Sequence, residues 1–103
     1  MGVAEKKVVI KNKSGLHARP AALFVQIANK YDSDISIKKG DQKVNGKSIM
    51  GIMMLAAERG SRVLITADGP DARQAADELE RLLLSSTMDE WYGKEKKKKK
   101  KKS

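Results

Sequence analysis

Two stretches of the chain, about 18–30 and 71–83, carry apolar residues at helical spacing, while the apolar runs between and before them are short and β-branched or alternating. Interleaving these two periods in this order leaves few solutions other than helices laid on a sheet. In the first stretch Ala21, Phe24, Val25, Ala28 and Tyr31 follow an i, i+3, i+4 rhythm, with Leu23 and Ile27 widening the face. Ala22, Gln26, Asn29 and Lys30 fall on the opposite side. Pro20 fits only in the first turn of that helix, which places the helix start beside His17. The second stretch opens at Asp68-Gly69-Pro70-Asp71, with an acid in its first turn, and its apolar face is Ala72, Ala75, Ala76, Leu79, Leu82 and Leu83.

The rest of the chain fills in around these helices. Residues 6–11, KKVVIK, read as a strand and are followed by Asn12-Lys13-Ser14-Gly15 with turn chemistry. Residues 34–39, DISIKK, alternate, Gly40-Asp41 turns the chain, and Gln42-Lys43-Val44 returns as a hairpin partner. Ser48 precedes the apolar run IMGIMML, so a short helix is predicted over 48–55, with Gly60 as its stop signal. Residues 62–67, RVLITA, form the fourth strand. The predicted order is β-α-β-β-α-β-α, an α+β domain of two layers with helices on one sheet face and water on the other.

Composition removes several function classes. With no Cys and one His, a disulfide framework, thiol chemistry and a multi-His zinc site are excluded, and no metal site is expected. Aromatic residues are 4% of the chain, so the core has to be aliphatic and large pockets for flat cofactors are not expected. No apolar stretch approaches the roughly 20 residues of a membrane span, and the N-terminus lacks a secretory apolar run, so a cytoplasmic protein without membrane insertion is expected. The net charge of +9 is local: residues 94–103, KEKKKKKKKS, hold eight Lys and one Glu, while the remainder has 14 basic and 12 acidic side chains. A nearly balanced domain over 1–87 is therefore followed by an extension over 88–103 whose lysine run repels itself and is expected to be disordered. No aromatic residue interleaves with that run, which argues against specific nucleic-acid recognition and leaves a solubilising appendage as the plain reading. Trp91 and Tyr92, just before it, are expected to cover an edge of the domain.

Ser14-Gly15-Leu16-His17-Ala18-Arg19-Pro20-Ala21 is the segment richest in chemistry. The first N–H groups of a helix lack internal partners and carry the positive end of its dipole, which suits a phosphate. A neutral imidazole there is a nucleophile, and Arg19 can donate charge-assisted hydrogen bonds to a phosphoryl oxygen. From the residues alone, a lone histidine near a helix start is more usually a surface residue or a helix cap. Ser48 likewise reads as a plain N-cap or as a modification site. In the run after it, Ile52 and Leu55 form a core-facing pair, while Ile49, Met50, Met53 and Met54 either pack inside or form an exposed docking patch suited to several partners.

GLHARPAA, together with NGKSIMGIMML and the final helix, resembles the histidine-containing phosphocarrier family, HPr, of the bacterial phosphoenolpyruvate–sugar phosphotransferase system, over roughly residues 5–87. The resemblance implies an open-faced β-sandwich, a four-stranded antiparallel sheet with three helices on one face. It implies that His17 accepts a phosphoryl group from Enzyme I as pros-phosphohistidine, stabilised by Arg19, and passes it to the A-domain of a sugar-specific Enzyme II. The protein would then be a stoichiometric carrier without a cofactor, monomeric, and not an enzyme. Lys47-Ser48-Ile49-Met50-Gly51 resembles the family's regulatory segment, implying phosphorylation of Ser48 by HPr kinase/phosphorylase and, in that form, binding of a catabolite-control repressor. Leu16, Ile49, Met50 and Met53 would form the partner-binding patch. A purely regulatory protein acting through Ser48 without sugar transport is the alternative; the tail raises a third, nucleic-acid binding, which the balanced domain argues against.

Overall fold

The computed structural model describes residues 2–13 and 15–85. Seven elements follow in the expected order: β1 (Gly2–Val9), α1 (Ala18–Asn29), β2 (Asp34–Lys39), β3 (Gln42–Asn45), α2 (Ile49–Met54), β4 (Arg62–Gly69) and α3 (Ala72–Leu84). The strands form one antiparallel sheet in the order β1-β4-β2-β3, and the three helices cover one of its faces. This is the open-faced sandwich. Along β4, Val63, Ile65 and Ala67 are buried while Arg62 and Asp68 are exposed, and in β2 Ile35 and Ile37 point inward the same way.

The core lies between sheet and helices and is almost wholly aliphatic, with Phe24 its largest fully buried side chain in a cluster that includes Ile10, Ile27, Ile37, Ile65, Leu79 and Leu82. α3 packs along β1 and β4, α1 beside α3, and α2 against α1 and β3. The helix faces are as predicted: Ala21, Phe24, Ile27 and Ala28 are buried on α1, and all six apolar positions from Ala72 to Leu83 on α3.

Three expectations are corrected. β1 begins at Gly2 and ends at Val9, because β4 offers it a continuous ladder from Gly69 back to Arg62. α2, Ile49–Met54, keeps within one residue of its predicted span, but Gly60 is not what stops it: Ala56, at φ +52°, turns the chain out of the helix, and Gln42 Nε2 donates to Met54 O at 3.3 Å. Asp71 sits at the N-cap position of α3 but caps nothing there. Its carboxylate instead accepts from Asp32 N at 2.9 Å, Ser33 N at 3.0 Å and Ser33 Oγ at 2.5 Å, fixing the turn between α1 and β2. The extension over 88–103, with its lysine run, Trp91 and Tyr92, lies outside the described residues.

Candidate functional site

His17 stands at the N-cap position of α1, in extended conformation, and its side chain is exposed and makes no capping hydrogen bond. The helix is nucleated behind it by Ala21 N, which donates to His17 O at 2.7 Å. Pro20 has no N–H to offer, and the other first N–H groups of a helix lack intrahelical partners. Arg19 is exposed on the same turn. An exposed imidazole stands at the start of the helix, with an exposed arginine two residues on, and these are kinds of group that suit a phosphoryl group.

The loop before His17 is held rigidly from behind. Gly15 N donates to Asn12 O at 3.1 Å, and Leu16 N donates to Ala57 O at 2.8 Å, tying the loop to the segment after α2. Gly15 has φ +64°, and a Cβ there would lie 2.6 Å from Ala57 O and 2.8 Å from Glu58 Cα. Only glycine fits this close approach. Leu16, expected in the docking patch, is 0% exposed. Its side chain joins the core and anchors the loop, so it offers nothing to a partner. Apolar character alone could not separate the two roles; the backbone bond to Ala57 decides which way the side chain turns.

α2 carries the patch. Ile52 and Leu55 are buried, as predicted, while Ile49, Met50, Met53 and Met54 are exposed, Met50 by 70%. Met54, left open between core and patch by the sequence, belongs on the surface. Because Ala57 bonds Leu16, the C-terminal end of α2 lies next to the His17 loop, and its six residues extend about 9 Å away from it. Ser48 is at the far end, where its Oγ accepts from Gly51 N at 3.1 Å and caps the helix. His17 and Ser48 thus lie at opposite ends of one methionine-rich strip. Among the described residues, no three His, Cys, Asp or Glu side chains group as a metal site, and no helix is long and apolar enough to cross a membrane.

The strongest electrostatic perturbation lies elsewhere. Glu78, on α3 and buried, accepts from Lys30 Nζ at 2.8 Å and Tyr31 Oη at 2.5 Å. Burial pushes its carboxyl up, but the hydrogen bonds from Lys30 and Tyr31, with the charges of Lys30 and Arg81, more than offset this and hold it below the usual range. Burial, then the bond to Glu78, pushes the Tyr31 hydroxyl up to about 12. This cluster sits at the C-terminal end of α1, the opposite end from His17, and ties two helices together.

Comparison with known proteins places this geometry. The family model for the PTS HPr component phosphorylation site matches residues 4–85. The chain is similar to the HPr-like protein Crh of Bacillus subtilis, 48% identical over 77 residues that cover 75% of this chain and 91% of the relative. It is also similar to the phosphocarrier protein HPr of Treponema pallidum, 44% identical over 85 residues covering 82% and 97%. Among solved structures, the phosphocarrier protein HPr from Bacillus anthracis superposes with a TM-score of 0.78 at 48% identity, covering 81% of this chain and 99% of that one.

Proposed function

Because the chain belongs to the HPr family of the phosphotransferase system, we propose that it is a phosphocarrier that takes a phosphoryl group from phospho-Enzyme I onto His17 and delivers it to sugar-specific Enzyme II A-domains. The observation that carries this reading is His17 itself, exposed and uncapped at the start of α1. The lone pair of a neutral ring nitrogen, Nδ1 in the pros form, attacks phosphorus, and the donor's nitrogen–phosphorus bond breaks with its electron pair returning to the donor. Arg19 and the first-turn N–H groups take up charge on the equatorial oxygens. The second transfer is the same step in reverse, onto the next partner. The protein is a substrate in both steps, and one copy supplies every group it needs. Docking on Ile49, Met50 and Met53 supplies the positioning that such a transfer requires.

Ser48 is proposed as the regulatory site. Phosphate there adds a charge of about −1.5 to −2 beside Ile49 and Met50 without removing the helix's favourable N-terminal electrostatics. The effect falls on partners: HPr kinase/phosphorylase would install the group, and a catabolite-control repressor would read it. Similarity to an HPr-like protein, Crh, at 48% identity favours a second reading, a regulator acting through Ser48 without sugar transport; the intact His17-Ala18-Arg19 favours the carrier. Parallel labelling separates them. Acid-labile label from phosphoenolpyruvate and Enzyme I is expected for a carrier, and acid-stable label from ATP and HPr kinase alone would make the protein a regulator only.

A further inference from the structure

The chain has no Cys, so all of its sulfur is methionine thioether. Every methionine among the described residues is on α2: Met50, Met53 and Met54, exposed by 70%, 45% and 67%. At about 100° per residue, Met53 and Met54 fall about 60° and 40° to either side of Met50, so the three sulfurs belong to one face. Ile52 and Leu55 point about 140–160° away from Met50 and are buried. They, and not the methionines, hold α2 to the core.

Methionine ordinarily fills irregular gaps inside a fold. On this surface leucine would offer similar apolar area and equal helix propensity, and Ile49, itself exposed on the strip, shows that apolar surface there does not require sulfur. Besides flexibility, what Met50, Met53 and Met54 have and Leu and Ile lack is a thioether that a peroxide oxidises and a methionine sulfoxide reductase restores.

We propose that Met50, Met53 and Met54 form a reversible peroxide-oxidation site that turns the strip from apolar to polar in the folded protein and so weakens partner docking beside the His17 loop. The effect on docking rests on the carrier reading above. A sulfur lone pair attacks one oxygen of hydrogen peroxide and the O–O bond breaks. The departing hydroxide takes the proton from the transferred oxygen and leaves as water. Sulfur gives up two electrons and peroxide gains them. In the return step two thiols reduce the sulfoxide, giving thioether, a disulfide and water. A sulfoxide carries a polar oxygen, so covering it in an interface costs free energy where covering a thioether gains it. The same change inside a core would disrupt the fold. Here the three side chains already face water, and oxidation leaves Ile52, Leu55 and the cap from Gly51 N to Ser48 Oγ in place.

The test treats the full chain with hydrogen peroxide at neutral pH and removes the excess with catalase. Peptide mass spectrometry, retention on a hydrophobic-interaction column, thermal unfolding and initial rates of labelling by phosphoenolpyruvate and Enzyme I are then measured. Met50 and Met54 are expected to oxidise within about threefold of the rate of free methionine, and Met53 more slowly. Column retention is expected to fall with Tm unchanged. KM for the protein in the Enzyme I reaction is expected to rise about tenfold, as for one polar group desolvated without a partner, with kcat unchanged. Methionine sulfoxide reductase with a thiol should restore both retention and KM. The Met50→Leu/Met53→Leu/Met54→Leu variant sets its own baseline, and its KM should be the same before and after treatment, which separates the strip from Met1 and Met88. Oxidation about ten times slower than that of free methionine, a lower Tm after treatment, an unchanged KM in fully oxidised protein, or an equal rise in the leucine variant would each overturn the proposal. Protein that oxidises and is restored as expected, yet is never labelled by Enzyme I even untreated, would count against the carrier reading and leave the oxidation site supported by mass and retention.

Discussion

Gly15 decides how His17 is presented. With φ +64° and the Ala57 carbonyl 2.6 Å from where a Cβ would be, Gly15→Ala combines a left-handed backbone with a clash against main chain. We expect a loss of about 2–5 kcal/mol by urea unfolding, and a smaller labelled fraction at His17 in protein that remains folded. Ser48→Ala removes one cap and should cost about 1 kcal/mol, whereas Ser48→Asp keeps an acceptor and should cost less. Met50→Asp should weaken partner docking with little change in stability, because Met50 is already in water; Ile52→Ala, fully buried, should lose about 2–5 kcal/mol of stability. The sequence marks Gly15 as a turn residue and His17 as a helix start through local chemistry alone. It does not reveal that Leu16 turns inward, since that depends on Ala57, about forty residues away.

The helices are joined through Glu78, and the tie has a pH signature. Because the Glu78 carboxyl is held below its ordinary value of 4.5, its contribution is complete above that value and is lost as pH falls through the lowered one. Tyr31 behaves in the opposite sense. Raised from 10.0 to about 12, it stabilises the fold below pH 10, and that stability drains away as pH climbs toward 12. Glu78→Gln should cost about 1–3 kcal/mol near neutral pH and flatten the acid limb of the stability profile, while Tyr31→Phe should flatten the alkaline limb. Chemical unfolding across pH measures both; an acid limb unchanged in Glu78→Gln would remove Glu78 from the account. Periodicity makes every buried apolar position of α3 legible. Glu78 is hidden from it, because a carboxylate is tolerable there only when Lys30 and Tyr31 arrive from another helix. The end of α2 is legible to within one residue, but the bonds that Lys39 and Gln42 bring to the segment from the hairpin are not.

At the scale of the whole molecule, the fold separates three tasks. The sheet and α3 provide the rigid body, the ends of α1 and α2 present His17, Ser48 and the methionine strip, and the far sheet face is left to its own charges. Element order alone identifies two layers, but which residues share an end of the molecule follows only from register and from bonds such as Leu16 to Ala57 and Lys11 to Leu83. The central claim is that His17 is the phosphoryl acceptor. Its most direct test is ¹⁵N and ³¹P NMR of the imidazole-labelled protein incubated with phosphoenolpyruvate and Enzyme I. The account predicts a phosphorus-coupled Nδ1 on His17, a signal discharged on adding an Enzyme II A-domain and missing from His17→Ala. An unshifted His17 ring in protein that nonetheless takes up phosphate, or normal uptake by His17→Ala, would contradict it.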